Sequence, residues 1–268
     1  MATNEGRFSG KVAIVTGGTS GIGEATVRLL VREGARVAIA ARRQELGDAL
    51  AKELGADKAI FCKCDVAIRT DIEALVAATV KAFGGLDILV NNAAASSFGY
   101  TPDLDPATWH QVIATNLDSV FYTARAAIPI FRQRGGGNIV NVASVSGLFG
   151  DYGFTAYNAS KGGVINYTKA LAIDHAQDNV RVNVVCPGLV DTPMSAVIGD
   201  MGLHDLWVDS IPMKRGGRPD EIAKIIAFVA SDDASFMTGS VIVADGGLSA
   251  ATGQPNLPKL LEKLNPPK

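Results

Sequence analysis

The chain has 268 residues, 47% of them hydrophobic, and a formal net charge of −2 at pH 7. That length suits one large α/β domain with ample apolar material for a core, and the near-neutral balance gives no electrostatic reason to expect nucleic acid or an acidic membrane as partner. No apolar run reaches the ~18 residues of a membrane helix, and the N-terminus MATNEGRFSG has no apolar signal core, so a reducing cytoplasm is the expected compartment.

In chain order, KVAIVT (11–16) reads as a first strand and runs through TGGTSGIG (16–23) into a helix over 22–33. RVAIAA (36–41) and a helix over 43–54 follow, then KAIFCKC (58–64) and a helix over 69–83. LDILVN (86–91) leads to one long helix over 107–133, GNIVNVA (137–143) to another over 156–177, and VRVNVVC (180–186) to a helix over 219–230. SVIVAD (240–245) is the last strand. Strands that are apolar almost throughout, alternating with helices, predict an α/β fold of the Rossmann type. It is a doubly wound parallel sheet of about seven strands with helices on both faces, in one domain over residues 1–250.

Two stretches break the pattern. Residues 191–218 interrupt the alternation and mix apolar side chains with Gly and Pro, and 251–268 is a Pro-punctuated peripheral tail. Cys62 and Cys64 fall on one face of the third strand; a C-x-C without nearby His or further Cys is a weak metal motif, so no metal is expected.

The glycines between the first strand and first helix have a mechanical reading. Gly17 permits a tight turn, Gly21 lets the backbone approach a pyrophosphate, and Gly23 lets helix and strand pack closely. The helix N-terminus then offers unpaired N–H groups and a positive dipole end, so a dinucleotide site is expected.

The spacing T-G-x-x-x-G-x-G, followed by NNAA (91–94), Asn116, Ser144, YNASK (157–161), CPG (186–188) and ADGG (244–247), resembles the single-domain branch of the short-chain dehydrogenase/reductase family. The match runs from about residue 8 to residue 248. It implies an NAD(P)-dependent alcohol dehydrogenase or ketone reductase. Thr19, Ser20 and Ile22 join the three glycines at the cofactor, with Asp65 and Val66 beside the adenine and Asn92 and Ala93 along the cofactor. By the same resemblance Val190 and Thr192 would meet the nicotinamide, with Pro187 and Gly188 forming the turn below it. Ala41 occupies the position where NAD-preferring members carry Asp, and Arg42 and Arg43 follow. NADP(H) is therefore favoured, with Arg42 on the 2′-phosphate and NAD(H) as the alternative. Ala94 replaces the glycine of the more usual NNAG, which matters if that backbone needs positive φ.

Free tyrosine, with a pKa of about 10, is a poor base at neutral pH, and an adjacent cation lowers that value. Tyr157 and Lys161 are four apart on one helix face, so the lysine can tune the phenol. In the resemblance Tyr157 is the acid/base and Lys161 its tuner and a ribose ligand. Ser144 holds the substrate oxygen, and Asn116 connects Lys161 to solvent through a water. The resemblance further implies that residues 191–218 form a lid over the substrate, whose Met194, Val197 and Trp207 would meet a small, largely apolar alcohol or ketone; His204 reads as solvated.

The resemblance also implies a homotetramer pairing the helices at 107–133 and 156–177. Their apolar arc includes Phe121, Ala127, Ile128, Ile165, Leu171 and Ile173. Two alternatives stay open. One is a 3-oxoacyl-thioester reductase, which a basic patch around Lys214, Arg215 and Arg218 would favour; the other is a cofactor-sensing binding protein without chemistry.

Overall fold

The computed structural model describes residues 6–254 and 257–264. Seven strands form one all-parallel sheet: β1 (Val12–Thr16), β2 (Arg36–Ala41), β3 (Ala59–Lys63), β4 (Ile88–Asn91), β5 (Gly137–Val142), β6 (Val180–Pro187) and β7 (Val241–Ala244). Their order is β3-β2-β1-β4-β5-β6-β7. β1 pairs with β2 on one side, Val12 opposite Arg36, and with β4 on the other, Ala13 opposite Ile88. The winding reverses between β1 and β4, which opens a crevice at the carboxyl ends of the strands.

Alternate strand residues enter two apolar layers. Ala13, Val15, Val37 and Ile39 pack against α1 (Gly21–Arg32), α2 (Gln44–Leu54) and α9 (Pro219–Ala230). Ile14, Ala38 and Leu89 face α3 (Arg69–Phe83), α5 (Ser119–Arg134) and α6 (Thr155–His175). Both faces of the sheet are therefore covered, which is why its strands lack an exposed polar row. Leu30 and Ile226, fully buried between α1 and α9, each contribute about 1.5–3 kcal/mol through removal from water.

The helix expected over 107–133 is two helices. α4 (Pro106–Ile113) and α5 are joined by a π-helical turn, Ala114–Asp118. Asp105 caps α4 by accepting from the Thr108 N–H at 3.3 Å. The wide turn carries Asn116 into the interior, where its amide is held on both sides, as described below.

Between β6 and α9 the chain makes an excursion containing α7 (Ala196–Asp200) and α8 (His204–Ser210). Its neck is closed by two 2.9 Å bonds: the Gly217 N–H donates to the Leu189 carbonyl and the Asp191 N–H to the Gly217 carbonyl. After β7, a final helix α10 (Leu257–Leu264) exposes Leu257, Leu260 and Leu261. Among the described residues no helix is long and apolar enough to cross a membrane.

The apolar arc on the two long helices divides. Ala127, Ile128, Ile165 and Leu171 are buried within this chain, whereas Phe121 and Ile173 are exposed. Most of the arc is therefore explained by the sheet beneath it.

Candidate active site

The turn after β1 is built as its glycines require. Gly17 and Gly21 have φ of +65° and +54°, the left-handed region that disfavours a side chain. A Cβ on Gly23 would come within 2.2 Å of the Gly17 carbonyl oxygen. Asn92 braces this turn: its side-chain amide donates to the carbonyls of Thr16 at 3.0 Å and Gly17 at 3.4 Å. The Thr16 hydroxyl accepts from the N–H groups of Asn92 and Ala93, both at 3.0 Å. Asn92 thus shapes the loop through its side chain, a role the sequence did not reveal.

Ser20 precedes α1 in an extended conformation and its hydroxyl does not cap the helix. The first-turn amides and the positive dipole end are left for an anion, and Gly21 keeps the approach free of a side chain. This loop therefore fits the pyrophosphate of a dinucleotide.

At the end of β2 the two arginines differ. Arg43, not Arg42, reaches the loop: its Nη2 donates to the Ser20 hydroxyl at 2.7 Å and the Thr19 hydroxyl at 3.3 Å. Asp65, beyond β3, accepts from the Ala67 N–H at 3.0 Å through one carboxylate oxygen, and neighbouring Val66 is buried. Ala94 does not have positive φ, so the glycine it replaces is not needed for backbone strain relief here.

Ser144 follows β5, and Tyr157 and Lys161 lie in the first two turns of α6. Lys161 is 2% exposed, and its Nζ donates to the Val142 carbonyl at 2.9 Å while standing 5.6 Å from the centre of the Tyr157 ring. Burial lowers the lysine pKa to about 8, partly opposed by the nearby Cys186 thiol. Burial also pushes the Tyr157 phenol up to about 12, with Ser144 offsetting part of the rise and Asp151 and Cys186 adding to it. In the resting site the phenol's net shift is therefore upward, against the expectation drawn from Lys161. At neutral pH the pair consists of a charged lysine and a protonated tyrosine.

Asn116 ties this helix to the chain beyond β4. Its Oδ1 accepts from the Ala95 N–H at 2.7 Å, and its Nδ2 donates to the Ala95 carbonyl and the Ser160 hydroxyl, both at 2.9 Å. Ser160 in turn donates to the Tyr157 carbonyl at 2.7 Å, so Asn116 positions the Tyr157 turn through side-chain bonds. A second buried chain, Thr123 to Asn91 to Asn141 to Thr168, links α5, β4, β5 and α6 with three bonds of 2.9 Å. Fully satisfied networks of this kind fix the relative placement of the elements that carry them.

Pro187 ends β6, and the Gly188 N–H bonds the Ala244 carbonyl at 3.0 Å. The Val190 side chain is buried in the core, while Thr192 lies against Gly21, 3.0 Å from where a Cβ would stand. The glycine loop and the chain after β6 therefore meet. Met194, Val197 and Trp207 are exposed on the excursion, and Trp207 lines a cavity of about 290 Å³ with Leu203, Leu206 and Ser210. A larger cavity of about 590 Å³ runs between α3 and α5 beside Gly84, Gly85 and Arg134, at the opposite, amino end of the strands. The half-exposed His204 has its Nε2 3.8 Å from a carboxylate oxygen of Asp191.

A family profile described as enoyl-(acyl carrier protein) reductase matches residues 17–249. Similar curated proteins include meso-2,3-butanediol dehydrogenase of Serratia marcescens, 38% identical over 94% of this chain and 99% of that protein. A 3-oxoacyl-[acyl-carrier-protein] reductase of Thermotoga maritima is 39% identical over 90% of this chain and 99% of its own. Cyclohexanol dehydrogenase of an Acinetobacter species is 38% identical, covering 91% and 97%. A crystal structure of a short-chain type dehydrogenase/reductase from Mycobacterium marinum superposes with a TM-score of 0.87 at 35% identity, covering 91% of this chain and 97% of the other.

Proposed function

The chain belongs to the short-chain dehydrogenase/reductase family, and on that premise we propose that it interconverts a secondary alcohol and a ketone, with Tyr157 as the acid/base. Membership makes it an NAD(P)-dependent oxidoreductase acting on CH–OH groups. The observation that carries the finer reading is the meeting of Ser144, the Tyr157 phenol and the Lys161 ammonium past the carboxyl end of β5.

When bound, the nicotinamide supplies or takes up the hydride. Gly17, Thr19, Ser20, Gly21, Ile22 and Gly23 would hold the pyrophosphate, Asp65 and Val66 the adenine end, and Pro187, Gly188, Val190 and Thr192 the nicotinamide end. Ser144 would orient the substrate oxygen. Tyr157 donates its proton to that oxygen in reduction and takes it back in oxidation. The resting protonation state, a neutral phenol beside a charged lysine, is the one that reduction needs. Lys161 keeps a positive charge beside the phenol ring and would hold the ribose, and Asn116 would connect Lys161 to solvent through a water. The excursion at 191–218 serves as lid, presenting Met194, Val197 and Trp207 to a largely apolar substrate.

The 3-oxoacyl-thioester alternative gains nothing from the basic patch. Arg215 makes two 2.8 Å bonds to Glu221, Arg218 pairs with Asp220 at 3.0 Å, and Lys214 approaches Asp209 at 3.6 Å. Neutralised in this way, the patch offers little to an acidic carrier. A homotetramer is proposed as well, Phe121 and Ile173 being the exposed apolar residues that pairing of α5 and α6 would cover.

The deciding experiment follows nicotinamide absorbance with a panel of ketones and alcohols, run separately with NADPH/NADP and NADH/NAD. Turnover of secondary alcohols or ketones supports the reading; turnover of 3-oxoacyl thioesters alone replaces it. We also propose NADP(H) as the preferred cofactor, because Ala41 places no carboxylate at the end of β2 and two arginines follow it. A charge-assisted hydrogen bond contributes about 1.5–3 kcal/mol. Fluorescence titration of NADPH should therefore show Arg43→Gln weakening binding by more than about tenfold while NADH binding stays within about twofold. The same titration on Arg42→Gln separates the two: a larger loss there would put the phosphate on Arg42, away from Ser20.

A further inference from the structure

We propose that the two loops bracketing Tyr157 form an aromatic wall that selects a ring-bearing, uncharged ketone or alcohol. This narrows the substrate class and rests on the alcohol/ketone reading.

The loops after β4 and β5 are fastened to each other. The Gly99 N–H donates to the Gly153 carbonyl at 2.8 Å, the Thr155 hydroxyl donates to the Gly99 carbonyl at 3.5 Å, and Gly99 and Phe154 form a short parallel bridge. Phe98 stands edge-on to Phe154, with ring centres 5.7 Å apart at 75°. Gly153 makes room for it: a Cβ there would lie 2.5 Å from the Phe98 ring, and φ at Gly153 is +76°. On the other side the Asn158 amide donates to the Phe149 carbonyl at 2.9 Å, which ties the second loop to the helical turn carrying Tyr157. The backbone of this region is well bonded.

Its side chains are not covered. Phe98 is 71% exposed, Phe149 59% and Tyr152 92%. A single exposed aromatic residue is ordinary, but three on two pinned loops beside a reactive tyrosine make a patch that calls for an occupant. The excursion at 191–218 also leaves Met194, Val197, Met201 and Leu206 exposed, which are adaptable aliphatic groups. A rigid aromatic wall beside Tyr157 suits a flat or puckered ring, which presents a face to it while the adaptable side chains of the excursion would close over the other. From 145 to 154 the one charged side chain is Asp151, which disfavours an anionic substrate near Tyr157.

The test compares kcat/KM for 2-tetralone and 2-butanone in the wild type, Phe98→Ala, Tyr152→Ala and the double variant. Calorimetric binding of 2-tetralone and sedimentation of each variant accompany it. The wild type should prefer the ring ketone. The double variant should lose about tenfold of that preference, the scale expected from two aromatic contacts. The loss should appear in KM and in calorimetric affinity, with 2-butanone turnover kept within about twofold. Equal losses on both ketones, an unchanged ratio, or dissociation of an oligomer in the variants would overturn the wall, the last by reassigning the patch to a second copy of the chain. Weakened 2-tetralone binding in the variants, with no turnover of any alcohol or ketone by the wild type, would keep the wall and remove the redox reading. Turnover of 2-butanone without measurable 2-tetralone binding would do the reverse.

Discussion

Replacing Tyr157 by Phe should lower turnover by about 10²–10⁴-fold, the usual contribution of a positioned general acid, while cofactor affinity changes by less than about threefold. The change removes one oxygen and keeps the ring, so the packing around the partly buried side chain and the Lys161 approach at 5.6 Å both survive. Ser144 is a poor substitute donor: its hydroxyl faces Ser146 at 3.2 Å and the Pro187 carbonyl at 3.5 Å, and a serine hydroxyl is a far weaker acid than a phenol. Single-turnover absorbance of the nicotinamide gives the rate, and fluorescence titration without substrate gives the affinity. Turnover retained within about fivefold would mean that the proton comes from elsewhere. The same variant addresses the non-catalytic reading, since a cofactor-sensing protein should keep its biological output when the phenol is lost.

The sheet was legible because its strands are buried on both faces and so carry almost continuous apolar runs; β1 through β7 lie within a residue or two of where the sequence puts them. The glycine loop was equally legible, since positive φ at Gly17 and Gly21 and the close approach at Gly23 leave few alternatives to glycine. What periodicity could not show is the π turn between α4 and α5. One extra residue in a turn hardly changes an apolar pattern, and its cause is tertiary: the Asn116 amide is committed to Ala95 and Ser160. Arg42 and Arg43 are chemically identical, and which of them meets Ser20 depends on backbone direction where α2 begins, Arg43 being its N-cap. The bond from Lys161 to Val142 was hidden for the same reason, because it joins a helix to a strand nineteen residues earlier. Tyr157 and Lys161 could be paired from their spacing, but the upward shift of the phenol needed the density of the folded site.

Lys161→Met should change activity and stability in opposite directions. The ammonium is buried, and its pKa falls from 10.5 to about 8 because burial disfavours the charge. That fall corresponds to about 3 kcal/mol of destabilisation wherever the lysine is protonated in both states. The sign follows from proton counting. Between pH 8 and 10.5 the unfolded chain still holds the proton that the folded chain has released, so stability from this group rises with pH across that window; below about 8 the penalty is present in full. Met removes the charge and fills similar volume, losing one hydrogen bond to the Val142 carbonyl, which opposes the gain by about 1–3 kcal/mol. Denaturant unfolding of the two proteins at a series of pH values isolates the effect. At pH 7 the variant should be at least as stable as the wild type, and the difference should shrink or reverse toward pH 10.5. Turnover at pH 7 should meanwhile fall by about 10²-fold or more, because a phenol already raised to about 12 loses its neighbouring cation. A variant that is both less active and clearly less stable, with no pH dependence in the difference, would make Lys161 a structural residue. Its charge would then have to be explained by something other than the chemistry of Tyr157. A buried cation kept at a cost to the fold, and removable with a gain in stability, is what a site selected for proton transfer should contain.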